Sequence, residues 1–163
     1  MRDARSVIDD LADRLDQGDL DAIDDFVSVD MVNHASSLQG RGGWKQILKM
    51  IEVDLGPTNV ERHLTLAEGD LVTTRMTIHG HHRASTMPLL TGVPVSGNSV
   101  AWEFIHIWRV SAGQIVEHWA CRDDVGLLAQ VGGWPPARSI EAGSGTPPIE
   151  PGAAADHRLP AAE

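Results

Sequence analysis

The sequence predicts an α+β fold, and three observations predict it. Apolar residues recur at helical spacing up to about residue 54, then alternate at strand period, then return to helical spacing after residue 123. The order is therefore helices, an antiparallel meander and a terminal helix, with the helices covering one face of a curved sheet. The clearest single element is Ser99 to Val110, where Val100, Trp102, Phe104, His106, Trp108 and Val110 occupy every second position. Residues two apart share a face of a strand, so these six form one apolar, aromatic row interrupted by one titratable ring.

The elements follow in order. Val7, Ile8, Leu11 and Leu15 form a stripe on a first helix over Ser6 to Leu15, with acidic residues opposite, and Gly18 ends it. Asp19 can cap a second short helix through Phe26. Asp30 to Ala35 reads as a short extended piece or loop, and Gly40 to Gly43 breaks the chain. Trp44, Ile47, Leu48 and Ile51 place a third helix over Trp44 to Asp54, stopped by Gly56-Pro57. Val60 to Ala67 and Leu71 to His79 read as strands about a turn at Glu68 to Asp70, with Val72, Thr74, Met76 and Ile78 on one face. Gly80 to Asn98 is a long loop of the kind that forms lids and pocket walls. Asp123 or Asp124 caps a last helix through Val131, with Val125, Leu127 and Leu128 as its apolar side. The domain spans residues 1–134. The Pro-, Gly- and Ala-rich stretch 135–163 reads as a tail.

The hairpin after Val110 decides the chemistry. If Ser111-Ala112-Gly113 is a three-residue loop, Val110 pairs with Gln114 and His106 lies directly opposite His118, about 5 Å away between Cβ atoms. A two-residue loop pairs His106 with Trp119 and turns His118 to the other face. The outward row would be Ile105, Ile107, Ile115 and Trp119, apolar enough to need a cover.

Composition narrows the classes. A chain of 163 residues fits one domain with a real core. A net charge of −10 without a basic cluster argues against nucleic acid and anionic membrane partners. The single cysteine, Cys121, excludes an internal disulfide and a cysteine-based zinc site, and a cytoplasmic location is expected. The N-terminal segment is acidic and amphipathic, unlike a secretory signal, and no apolar run is long enough to span a bilayer. His79, His81 and His82 invite a metal reading, but no acidic or cysteine ligand stands at a recognisable spacing, so no metal is expected.

Several pieces, in order, resemble the SnoaL-like polyketide cyclases of the nuclear transport factor 2-like superfamily. They are Met31-Val-Asn-His-Ala35, Gly80-His-His82 with Leu90 to Pro94 and Gly97, Ile105-His-Ile-Trp-Arg109 with Gly113-Gln-Ile, Ile115 to Trp119, and Gly126 to Gly132. The resemblance runs from about Val7 to Trp134. It implies a cone-shaped α+β barrel of the cystatin-like kind, a cofactor-independent ring closure on a polyketide or related natural-product intermediate, and a homodimer. It also implies an acid/base carboxylate immediately after the His-Trp pair, where this chain has Ala120. His106 matches a pocket histidine of the family, Asn33 a pocket amide, and His82 a residue of the loop at the pocket rim.

The residues themselves suggest a substitute for the missing acid. Imidazole has a reference pKa near 6.5 and can give or take a proton, so His106 and His118 are the candidate acid/base pair. Asn33 is the candidate donor to an enolate oxygen. Trp102, Phe104 and Trp108 would wall a pocket for an apolar polycyclic or polyene substrate, with Trp44 at its mouth. Arg122 could steady an enolate or carboxylate. A pericyclic closure by substrate folding, an isomerisation, a hydroxylation, or plain ligand binding are the alternatives.

Overall fold

A computed structural model describes residues 3–135 of the chain. The expected tail lies, but for Pro135, outside the described residues. The elements are α1 (Ala4–Asp16), α2 (Ala22–Phe26), β1 (Val27–Asn33), α3 (Gly40–Leu55), β2 (Asn59–Glu68), β3 (Leu71–His81), β4 (Ser99–Ser111), β5 (Gln114–Arg122) and α4 (Asp124–Gln130). The fold is α+β as expected. A single 3-10 turn, Pro88–Leu90, interrupts the long loop.

The five strands form one sheet in the order β1-β5-β4-β3-β2. β2 to β5 are an antiparallel meander, and β1 joins the far edge parallel to β5. The sheet is open, with β1 and β2 as its edges, and curves around the helices as expected. The segment read as extended piece or loop is thus the end of a true strand. Its register brings Asn33 beside His118.

Helix boundaries follow local chemistry. The Asp3 side chain accepts from the backbone N–H of Ser6 at 2.7 Å and caps α1. Asp123 accepts from Gly126 N–H at 2.8 Å and caps α4. α4 turns Leu127 inward, while Val125, expected on its apolar side, is exposed. α3 starts at Gly40, four residues before the expected Trp44. The glycines do not break this helix because they are needed where it enters. A Cβ on Gly40 would strike the Val29 carbonyl, and one on Gly43 would sit 2.6 Å from the Leu38 carbonyl carbon.

The alternating pattern of β4 is obeyed along its length. All six even positions from Val100 to Val110 are buried and face the helices. They bridge the two halves of the core, one built on α1, α2 and Trp44, the other on the end of α3, Leu90 and Leu127. Val72, Thr74 and Ile78 of β3 are buried on the same side.

The hairpin differs from both expected registers. Ala112 and Gly113 both have positive φ, 50° and 79°, which makes a two-residue turn and pairs Ser111 with Gln114 and Val110 with Ile115. The register then slips by one, so that Arg109 pairs with Glu117 and Val116 is the extra residue of a bulge. His106 therefore pairs with Ala120, and Trp108 with His118. The bulge cancels the face reversal that a two-residue turn alone would impose. It puts both Ile115 and His118 inside, at 0% and 4% exposure. Ile115 thus leaves the outward row, where Ile105 and Ile107 stay exposed.

Close backbone packing sets how α3 sits on the sheet. A Cβ on Gly80 would overlap the carbonyl oxygen of Leu55, the last residue of α3. Gly80→Ala is expected to cost about 1–3 kcal/mol through this overlap, read as a lower urea midpoint. An unchanged midpoint would mean that α3 does not press on β3 in this way.

Candidate active site

A cavity of about 1500 Å³ opens between the concave face of the sheet and helices α1 and α3. Its lining includes Asn33, Trp44, Trp102, Phe104, His106, Trp108, His118 and Arg122, and also Ala120. Eight of the nine residues singled out from the sequence thus meet in one place. The ninth, His82, does not line it. His82 is fully buried inside the 82–98 loop, where it bonds Ser85 and Ser96. It braces the loop from within, and the expectation of a rim position is corrected.

The even row of β4 becomes a stack of rings. Trp102 and Phe104 lie 4.5 Å apart between centroids, Phe104 and His106 5.1 Å, and His106 and Trp108 4.9 Å. His118 enters from β5 and stacks on Trp108 at 4.2 Å. Trp44, from the first turns of α3, closes over Trp108 at 5.1 Å. The Trp108 indole donates to Thr74 Oγ1 at 3.3 Å, which fixes its orientation.

A chain of hydrogen bonds assigns the protons. Asn33 Nδ2 donates to the Leu38 carbonyl at 3.2 Å, and its Oδ1 accepts from Ala35 N–H at 3.1 Å. The amide orientation is therefore set by backbone groups that have only one role each. Asn33 Oδ1 also meets His118 Nδ1 at 3.0 Å, so His118 must donate from Nδ1. In the neutral ring its Nε2 is then the acceptor. That atom lies 2.8 Å from His106 Nδ1, so His106 donates there. The lone pair of His106 is left on Nε2, a buried atom without a protein partner. Asn33 was expected to point its amide at substrate; instead both its polar ends are engaged, and it orients His118.

Burial keeps both rings neutral. It drives the His106 pKa down to about 3, helped by the neighbouring His118 and by Arg122. Burial likewise lowers His118 to about 4, with smaller contributions from His34 and Arg122. Arg122 donates to Asp124 at 2.9 Å, and its guanidinium lies 5.4 Å from the centre of the Trp102 ring.

Other histidines of the described residues are engaged elsewhere. His34 stacks on Trp119 at 4.7 Å on the outer face of the sheet, where Trp119 was expected. His79 bonds Glu61 at 3.1 Å, and His63 bonds Thr77 at 2.8 Å. His79 and His82 are engaged with different partners. Among the described residues, no group of three or more ligand side chains could hold a metal, and no helix is long and apolar enough to cross a membrane.

One residue that matters to the cavity was not singled out from the sequence. Asp54 of α3 is fully buried. Its carboxylate accepts from Thr86 N–H, Thr86 Oγ1 and Met87 N–H at 2.7–3.0 Å. It holds the loop residues Met87, Pro88 and Leu89 against the cavity wall. The signal was a carboxylate at the apolar end of a helical stripe, with a Ser/Thr-rich loop to receive it.

Residues 5–131 match the family model for SnoaL-like polyketide cyclases. The chain belongs to that family. Among solved structures, it is similar to wild-type IdmH from Streptomyces antibioticus, described as a candidate polyketide cyclase, with 27% identity and a TM-score of 0.67 over 80% of this chain and 99% of that one. TsrD from Streptomyces laurentii shares the fold at 21% identity and a TM-score of 0.68, covering 78% and 96% of the two chains. So does AclR from Streptomyces galilaeus, described as a candidate hydroxylase, at 22% identity and a TM-score of 0.67, covering 79% and 84%. No curated protein matches the sequence.

Neutral burial of two imidazoles has a consequence for stability. In the unfolded chain both rings protonate near pH 6.5, whereas in the fold they resist protonation down to about 3 and 4. The unfolded state then binds more protons between those limits, so stability is full above about pH 6.5 and falls as the pH drops. Urea midpoints are expected to fall from about pH 7 to about pH 5, and His106→Phe to flatten that fall. An unchanged pH slope in the variant would contradict neutral burial of His106.

Proposed function

We propose that this family member is a cofactor-independent cyclase of a polyketide-type intermediate, with His106 as its base. The observation that carries this reading is the unpartnered lone pair on His106 Nε2, in a ring that lines the cavity. His106 Nε2 takes a proton from the carbon next to a substrate carbonyl. The electron pair passes into the enolate, which attacks a second carbonyl carbon and forms the ring bond. The imidazolium Nε2–H then returns its proton to the new alkoxide. The sum is neutral in mass and leaves His106 as it began. His118 holds the ring by accepting from Nδ1–H, and would share the positive charge while it lasts. Asn33 positions His118, and Arg122 stands on the cavity wall to favour the enolate.

A base depressed by burial is a weak one. It suits a proton already made acidic by flanking carbonyls. It also gains strength as the enolate forms, because the imidazolium then has a counter-charge in a low-dielectric site.

Ala120 supports a second reading. It pairs with His106 and lines the cavity, at the position where the family resemblance calls for a carboxylate. A closure driven only by holding a folded chain in a reactive conformer would need no acid there.

The two readings separate in one assay, incubation with linear poly-β-carbonyl precursors and detection of a cyclised product of unchanged mass. Under the first reading His106→Ala lowers turnover by about 10²–10⁴-fold. The wild-type rate should also stay flat from about pH 8 to about pH 5, because the base is already deprotonated there. Full turnover in the variant would sink the histidine mechanism and favour closure by shape. A product heavier by one oxygen would place the chain with hydroxylating chemistry.

A further inference from the structure

His106 Nε2 has a counterpart four residues back on the same face of the same strand. The indole Nε1–H of Trp102 is also buried without a protein partner, in a residue only 2% exposed. Both residues line the same cavity. One of the two orphan atoms can only accept a hydrogen bond and the other can only donate one. Between them lies the Phe104 ring, 4.5 Å from the Trp102 ring and 5.1 Å from the His106 ring. Trp108, the other tryptophan in the row of β4, does not share this state, since it spends its N–H on Thr74. Native structures rarely leave a buried donor unpaired, and the exceptions call for an explanation. Trp102 was read from the sequence as a flat wall, and it lines the cavity. Its N–H is a separate, directional group.

We infer that Trp102 Nε1–H and His106 Nε2 are the two poles of one binding subsite, which takes a ligand with a carbonyl oxygen at one end of a fused bicyclic ring and an acidic proton at the other. The ring face of the ligand lies over Phe104. The carbonyl accepts from Trp102, and the acidic O–H or C–H meets His106. Arg122 sits over the Trp102 ring and adds positive potential at the carbonyl end. This rests on the cyclase reading for the role of His106 but not for that of Trp102. It adds a requirement that a purely apolar pocket would lack: a ligand without an acceptor at the indole end leaves a buried N–H unpaired.

The experiment uses the full chain and three related bicyclic probes. Tetralin carries no polar atom, 1-tetralone carries the carbonyl alone, and 5-hydroxy-1-tetralone carries a carbonyl and a hydroxyl at opposite ends. Binding is measured by calorimetry on wild type, Trp102→Phe and His106→Asn. The indole N–H signals of the wild-type protein are followed by NMR, and the Trp102 signal is identified by its absence in Trp102→Phe. We expect Trp102→Phe to weaken both ketones about tenfold and tetralin hardly at all, as for one lost hydrogen bond. We expect His106→Asn to weaken only the hydroxylated ketone. In wild type the Trp102 N–H should move downfield with either ketone and stay in place with tetralin. If 1-tetralone binds Trp102→Phe as tightly as wild type, or if the Trp102 signal stays in place while other cavity signals move, the donor role is overturned and the His106 mechanism is untouched. If none of the three probes binds wild type, the cavity itself is not a site for such rings, and the subsite falls with it.

Discussion

One buried hydrogen bond, from His106 Nδ1–H to His118 Nε2, organises the concave side of this protein. Two neutral imidazoles can share a single short bond only if their tautomers are complementary. The complement is set from a distance. Backbone groups at Ala35 and Leu38 orient the Asn33 amide, Asn33 orients His118, and His118 orients His106. Asn33 reaches His118 because β1 runs parallel to β5 with the two residues in register. The tautomer of His106 therefore depends on the edge strand of the sheet as much as on its own strand.

Much of this was legible in the chain. The alternation of β4 placed an aromatic row with one histidine on a single buried face, and the structure keeps every member of it there. The side of His118 could not be read, because it depends on whether the number of residues between turn and ring is odd or even. Sequence signals for a two-residue and a three-residue turn overlap at Ser111-Ala112-Gly113, and nothing in Val116 announces a bulge. The expected meeting of the two histidines holds, though diagonally, between residues that pair with Ala120 and Trp108. The start of α3 was hidden for a related reason. Glycines read as a break when only propensity is weighed, whereas here the tight approaches to Val29 and Leu38 require them.

The misreading of His82 and the omission of Asp54 have a common origin. Both are buried polar groups that serve the long loop, and long-range hydrogen bonds leave no period in a sequence. His82 Nδ1 accepts from Ser96 N–H at 3.2 Å, so its Nε2–H donates to Ser85 Oγ at 2.9 Å, and that hydroxyl donates on to the Val93 carbonyl. Asp54 gathers the next turn of the loop onto α3. A segment that looks unstructured by composition is thus tied at both ends. It presents Met87 and Leu89 to the cavity as a wall.

The tautomer of His106 is where the account is most exposed to test. Nitrogen-15 NMR of the histidine rings distinguishes a protonated from an unprotonated nitrogen at each position. The expected spectrum near neutral pH has His106 carrying its proton on Nδ1, with an unprotonated Nε2, and coupled across the hydrogen bond to His118. A proton found on His106 Nε2, or a ring that titrates near pH 6.5 like an exposed histidine, would contradict it.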